Sequence, residues 1–118
     1  MAKIRYAVGA LLLCAALTGC ATKKPQMYQW EGYQGNVDSY FRGDKASPDA
    51  QLRSMEDGLQ KIRASGGTVP PGYNAHLGLL YAQQGNLDRF TLQLQAEKTQ
   101  YPESEVFMDF LTRNLKKK

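Results

Sequence analysis

Along the chain, apolar side chains recur at helical spacing in one stretch after another, and no stretch alternates with period two long enough to form a strand. Trp30, Tyr33, Val37, Tyr40 and Phe41 fall on one helix face, weakened at its start by Gly32 and Gly35, so the ordered part is expected from near Asn36. Leu52, Met55, Leu59 and Ile62 mark a second helix. Ahead of it stands Ser47-Pro48-Asp49-Ala50, in which the hydroxyl can cap, the proline suits the first turn and the aspartate meets the positive helix end. Gly66-Gly67 stops that helix, and Val69-Pro70-Pro71-Gly72 reads as a stiff connector. A third helix is predicted from about Tyr73 to Gln84, ending at Gly85. A fourth runs from about Leu87 to Gln100, with Asn86 as its cap and Pro102 beyond its end. A fifth, about Ser104 to Leu115, offers Phe107, Met108, Phe110, Leu111 and Leu115. The pattern predicts an all-α domain over residues 30–118, a small bundle of about four to five helices.

A different pattern precedes the bundle. Lys3 and Arg5 form a short positive region, and Ala7 to Leu17 form an apolar run of 11 residues. A membrane-spanning helix needs about 20 such residues, so the run suits a targeting signal. It ends in Leu17-Thr18-Gly19-Cys20, which resembles a bacterial lipoprotein box. The resemblance implies that residues 1–19 are a signal peptide that is removed, that the Cys20 thiol carries diacylglycerol and that the new amine is acylated. Residues 20–29 then form a lipidated tether, and a covalent lipid is the only attached group expected. Ala21 stands where, by the same resemblance, an aspartate would hold the protein at the inner membrane. The expected address is therefore the outer membrane, facing the periplasm. The plainer alternative is an ordinary secretory signal that happens to end in a cysteine. Cys14 leaves with the signal in either case, so the mature chain keeps one cysteine, forms no internal disulfide and must be held by packing.

Within the bundle, residues 71–102 resemble one tetratricopeptide repeat. Leu77-Gly78 followed by Tyr81 reproduces L-G-x-x-Y, Gly85 takes the tight turn and Pro102 the closing proline. The departures are Asn74 for the tryptophan, Phe90 for the small residue of the second helix, Leu94 for the phenylalanine and Glu97 for a second alanine. Phe90 would force the helices apart unless neighbouring packing changes with it. A shift of 34 residues finds no second copy upstream, where Gly43 and Ser47 would stand for Leu77 and Tyr81. Downstream, Met108, Leu111 and Leu115 suit a closing helix. This is one repeat-like pair in a compact bundle, or else a generic helical hairpin. If the repeat holds, its first helix lines the concave side, and Ala75, Leu79 and Ala82 are the residues that would face a partner.

A wider resemblance covers nearly the whole mature chain. Met27-Tyr28-Gln29-Trp30, Pro70-Pro71-Gly72, Ala75 to Tyr81 and Tyr101-Pro102-Glu103-Ser104 are similar to a family of small bacterial lipoproteins of unknown function. Members are often encoded beside a lipoprotein similar to the curli export channel. That implies a part in envelope assembly or export and supplies no catalytic residues.

Charge changes the picture little. The formal charge is +4, yet Lys23, Lys24 and Lys116-Lys117-Lys118 lie at the ends, and residues 25–115 hold eight basic against eleven acidic side chains, a net of −3. The basicity belongs to tails, and no nucleic-acid-binding face is expected. The terminal lysines either complement the end of the last helix or touch acidic lipid head groups. Tyr28, Trp30 and Tyr33 either pack on the first helices or sit at a membrane interface.

Residues able to carry catalysis are sparse. His76 is the only histidine; beside Leu77 and Leu80 it reads as a half-buried packing residue before it reads as a base or ligand. No metal site, nucleophile elbow or phosphate-cradling glycine loop is present in the pattern. The expectation is therefore a lipid-anchored, non-enzymatic lipoprotein that holds another envelope protein, among which the export-channel-like lipoprotein is a named option. A carrier of lipid or small molecules between the helices is the alternative, and it would need an apolar cavity.

Overall fold

The computed structural model describes residues 1–16, 19, 25–43, 47–115 and 117. Cys20, most of the lipoprotein box and the first half of the tether (residues 20–24) lie outside the described residues, as do Lys116 and Lys118. The described chain is all-α: α1 (Ala2–Ala16), α2 (Tyr33–Arg42), α3 (Pro48–Ala64), α4 (Tyr73–Gln83), α5 (Leu87–Gln100), a 3-10 turn over Pro102–Ser104, and α6 (Glu105–Leu115). Residues 2–10 of α1 are all exposed, and among the described residues no helix is long and apolar enough to cross a membrane.

α2 begins a turn earlier than its glycines suggest. Gly32 adopts a left-handed conformation (φ 73°) that turns the chain, so that Trp30 stacks on Tyr33 with ring centroids 6.1 Å apart. Tyr33 in turn packs on Tyr73 at 5.2 Å. These aromatic contacts offset the helix-weakening effect of Gly35. The Asn36 amide donates to Ser54 Oγ (3.1 Å) and ties α2 to α3.

α3 starts as its sequence predicts. Ser47 Oγ accepts from the Ala50 N–H (3.2 Å), Pro48 occupies the first turn, and Leu52, Met55, Leu59 and Ile62 are buried. Its end is closed by Gly66 and by the Gly67 N–H donating to the Ile62 carbonyl (2.9 Å).

The segment before α2 is strapped to the α3–α4 connector. The Gln29 N–H donates to the Thr68 carbonyl (2.9 Å), Ser65 Oγ donates to Gln29 Oε1 (2.6 Å), and Tyr28 meets the Tyr101 ring at 6.4 Å. Tyr101 also donates its hydroxyl to the Val69 carbonyl (2.6 Å), which pins the connector to the end of α5.

α4 and α5 form the most extensive pairing in the bundle. Phe90, expected to part them, is fully buried and leaves them in contact. Gly78 opposite explains how: a Cβ there would lie 3.6 Å from Phe90 Cδ2 and 3.4 Å from its carbonyl oxygen. The absent side chain lets the phenylalanine ring pack over the α4 backbone without displacing the helices. Met108, Leu111 and Leu115 of α6 join the same core, and Lys98 on α5 pairs with Asp109 on α6 at 2.7 Å.

Candidate functional site

α4 is apolar around most of its circumference because neighbours close it on several sides. Towards α3, Tyr73 is fully buried and donates its hydroxyl to the Met55 carbonyl (2.7 Å), while Tyr81 donates to the Glu56 carboxylate. Burial first, and the nearby Glu31 carboxylate second, push the Tyr73 phenol up to about 12. Towards α2, Tyr33 and Tyr40 stand edge-on to His76, with centroids 6.3 and 5.1 Å away. The imidazole is buried rather than half-buried, and its Nε2 has no hydrogen-bond partner among the described residues. Burial lowers its pKa from the ordinary histidine value.

Two of the three residues expected to face a partner keep some surface. Leu79 and Ala82 are half-buried and pack against the core from its edge. Ala75 is buried, and its N–H is directed at Glu97 Oε2 (3.4 Å). The open side of α4 is thus narrower than the spacing of its residues implies. Cys20, the expected lipid carrier, lies outside the described residues.

Glu97 supplies what α4 lacks at its N-terminus. The N-cap position is Gly72, left-handed at φ 86°, and no side chain of α4 itself caps the helix. Instead Glu97, reaching across from α5, accepts the Gly72 N–H at 2.6 Å through Oε1. A carboxylate at a helix N-terminus satisfies donors that have no partner within the helix and meets the positive end of the dipole. The carboxyl is buried, which raises its pKa above the ordinary glutamate value even though the Gly72, Ala75 and Asn74 N–H groups pull it down. Sequence spacing showed only a glutamate where a repeat prefers a small residue; that misfit was the one available signal.

The pH dependence of this cap has a definite sign. Because the folded pKa is raised, the unfolded chain ionises first, so the contribution of Glu97 is full below the ordinary glutamate pKa and is lost as pH rises through the folded pKa. Glu97→Gln removes the titration and keeps a carbonyl acceptor. We expect the wild-type melting temperature minus that of Glu97→Gln to fall as pH rises from the glutamate range towards neutrality. His76 titrates in both proteins and cancels in the difference. Thermal melts across that range check it, and a rising difference would contradict the assignment.

A cleft of about 300 Å³ between α3, α4 and α5 is lined by Glu56, Asp57, Arg63, Tyr81, Arg89 and Gln93, among others. The Arg89 guanidinium lies 5.7 Å over the Tyr81 ring. This lining is charged and polar, which is unlike the apolar pocket that a lipid carrier needs. Among the described residues no three His, Cys, Asp or Glu side chains come together in a way that could hold a metal ion.

Comparison with curated proteins and with solved structures finds no match. A family model does match, over residues 27–111, from the aromatic segment ahead of α2 to the last turns of α6. The matched span takes in α2 to α5 and the larger part of α6, well over half of the chain, and on that ground the chain belongs to the family described as a domain of unknown function (DUF4810).

Proposed function

We propose that this protein is a lipid-anchored envelope lipoprotein that works as a non-enzymatic interaction or assembly factor at the periplasmic face of the outer membrane. One observation carries the interaction reading. With a core already closed around α4, large apolar side chains remain exposed away from α6: Phe41 on α2, and Leu87 and Leu92 on α5. Single exposed apolar residues are ordinary, but a small domain that leaves this many outside its core has surface suited to partners. The lipid anchor is supported by Lys3 and Arg5, the apolar run and Leu17-Thr18-Gly19-Cys20 in the order a lipoprotein signal requires. The partner side includes Leu79 and Ala82 at the edge of α4, and an export-channel-like lipoprotein is the partner class that the sequence resemblance favours.

Cross-linking in native envelopes tests this. The wild-type chain should capture one discrete envelope protein, and Cys20→Ser should stay as an unprocessed precursor and lose the capture. Leu79→Glu should abolish capture with helicity and melting nearly unchanged. If Leu79→Glu unfolds the domain, Leu79 is core and offers no docking edge; if folding and capture both survive, the partner docks elsewhere.

A further inference from the structure

α6 has two unlike faces. Met108, Leu111 and Leu115 belong to the core, whereas Val106, Phe107 and Phe110 are 81, 58 and 52 % exposed. Phe107 and Phe110 stack on each other, centroids 6.4 Å apart and planes within 14° of parallel. Arg113 follows at the spacing that keeps it on the same side of the helix. The sequence then runs into Lys116-Lys117-Lys118.

Charge decides which occupant fits this face. Of the acidic side chains on α6, Asp109 is held by Lys98 at 2.7 Å and Glu105 sits in the first turn, away from the cationic end. The exposed aromatic face carries Arg113 towards its end, and the sequence beyond α6 adds Lys116, Lys117 and Lys118 with no acid among them. A helix with aromatic and aliphatic side chains on one side and lysine or arginine beside them has the composition of an interfacial helix that lies in the head-group region of an anionic bilayer. A protein partner would have to match a flat stacked pair and a lysine tail together, which an acidic lipid surface does without any special shape.

The course of the chain favours the same occupant. Tyr28 touches Tyr101, and Tyr101 precedes α6 by a single 3-10 turn, so the segment entering the bundle passes close to the start of α6. From Cys20 to Met27 the backbone can span at most about 25 Å. A lipid on Cys20 would hold that end of α6 near the membrane; this point rests on the proposed anchor, whereas the aromatic and cationic face does not.

We propose that α6 docks on the surface of an anionic phospholipid bilayer, with Val106, Phe107 and Phe110 at the head-group boundary and Arg113 and the terminal lysines on lipid phosphates. The test uses the full chain carrying Trp30→Phe and Phe107→Trp, so that the only indole reports on this face. The chain is mixed with vesicles of phosphatidylcholine and phosphatidylglycerol whose acyl chains are brominated near the head group. A blue-shifted emission, quenched severalfold, is expected. The quenching should be lost when phosphatidylglycerol is omitted or when Lys116, Lys117 and Lys118 are all changed to glutamine. Val106→Trp in the same background should report likewise, which guards against a local effect of one substitution. Emission that is indifferent to bromine at both positions overturns the proposal, as does quenching that ignores both changes of charge. Cross-links between copies through position 107, without quenching, would assign the face to a second copy and also overturn it. Mass measurement of the Cys20 adduct in cells reads the anchor separately: an acylated chain without quenching sinks only this proposal, and an unacylated chain with quenching sinks only the anchor.

Discussion

Phe90→Ala is expected to cost about 3–5 kcal/mol of folding stability, the range for emptying a fully buried aromatic position. The ring is completely enclosed and lies against Gly78 on the facing helix. Removing it leaves a void that Gly78, having no side chain, cannot fill. The complementary change tests the same contact from the other side. Gly78→Leu should be at least as damaging, since even a Cβ at position 78 would come within 3.3 Å of Gln93 Cβ. Denaturant melts with an unchanged slope would measure both. A Phe90→Ala loss below about 1 kcal/mol would mean that the ring is not the core element it is taken to be.

The second large effect is expected at Gly58, in the middle of α3. A Cβ placed there would collide with the Tyr73 hydroxyl oxygen and approach the Glu31 carbonyl oxygen at 3.1 Å. The intrinsic helix preference of alanine over glycine, about 1 kcal/mol, favours Gly58→Ala, so any net loss measures the collision. We expect a net loss of about 2–3 kcal/mol, as in overpacked cores. Tyr73→Phe alone should cost about 1 kcal/mol, the value of its hydrogen bond to the Met55 carbonyl. Combined, the two should cost clearly less than their sum, because the phenylalanine removes the atom that the new methyl strikes. The Glu31 carbonyl remains close, so rescue should be partial. Strict additivity in the double-mutant cycle would show that the tyrosine hydroxyl is not the obstacle.

These two sites mark where the sequence could and could not be read. The α3 start was legible because Ser47, Pro48 and Asp49 act locally, through atoms within one turn of each other. Leu77-Gly78 and Tyr81 were legible because their spacing encodes a helix pair, and the pair is present. Gly58 carried no such signal: its glycine is required by a tyrosine 15 residues away, on another helix. The Glu97 cap was hidden for the same reason, since its partner N–H groups lie 22 and 25 residues upstream. Phe90 was read as an obstacle because a motif specifies one helix at a time, whereas fit depends on the volume lost opposite. For the candidate partner side, helical spacing grouped Ala75, Leu79 and Ala82 along α4 but could not tell what lies against each of them, and Ala75 is buried. On α6 the apolar residues were visible, and only the packed bundle separated Met108 and Leu111 from Phe107 and Phe110.

The strap formed by Tyr28 and Gln29 governs how mechanical load would enter the domain. Gln29 is bonded to Thr68 and Ser65, and Tyr28 rests on Tyr101, all before the chain reaches α2. A pull on the chain ahead of residue 27 is therefore delivered first to the α3–α4 connector and the end of α5. The Gln29 bonds form a clasp in front of α2, so tension reaches that helix only after the clasp has opened. Under a steady tug the domain should yield in stages, strap first and then α2, with the α4–α5 hairpin the last part to unravel.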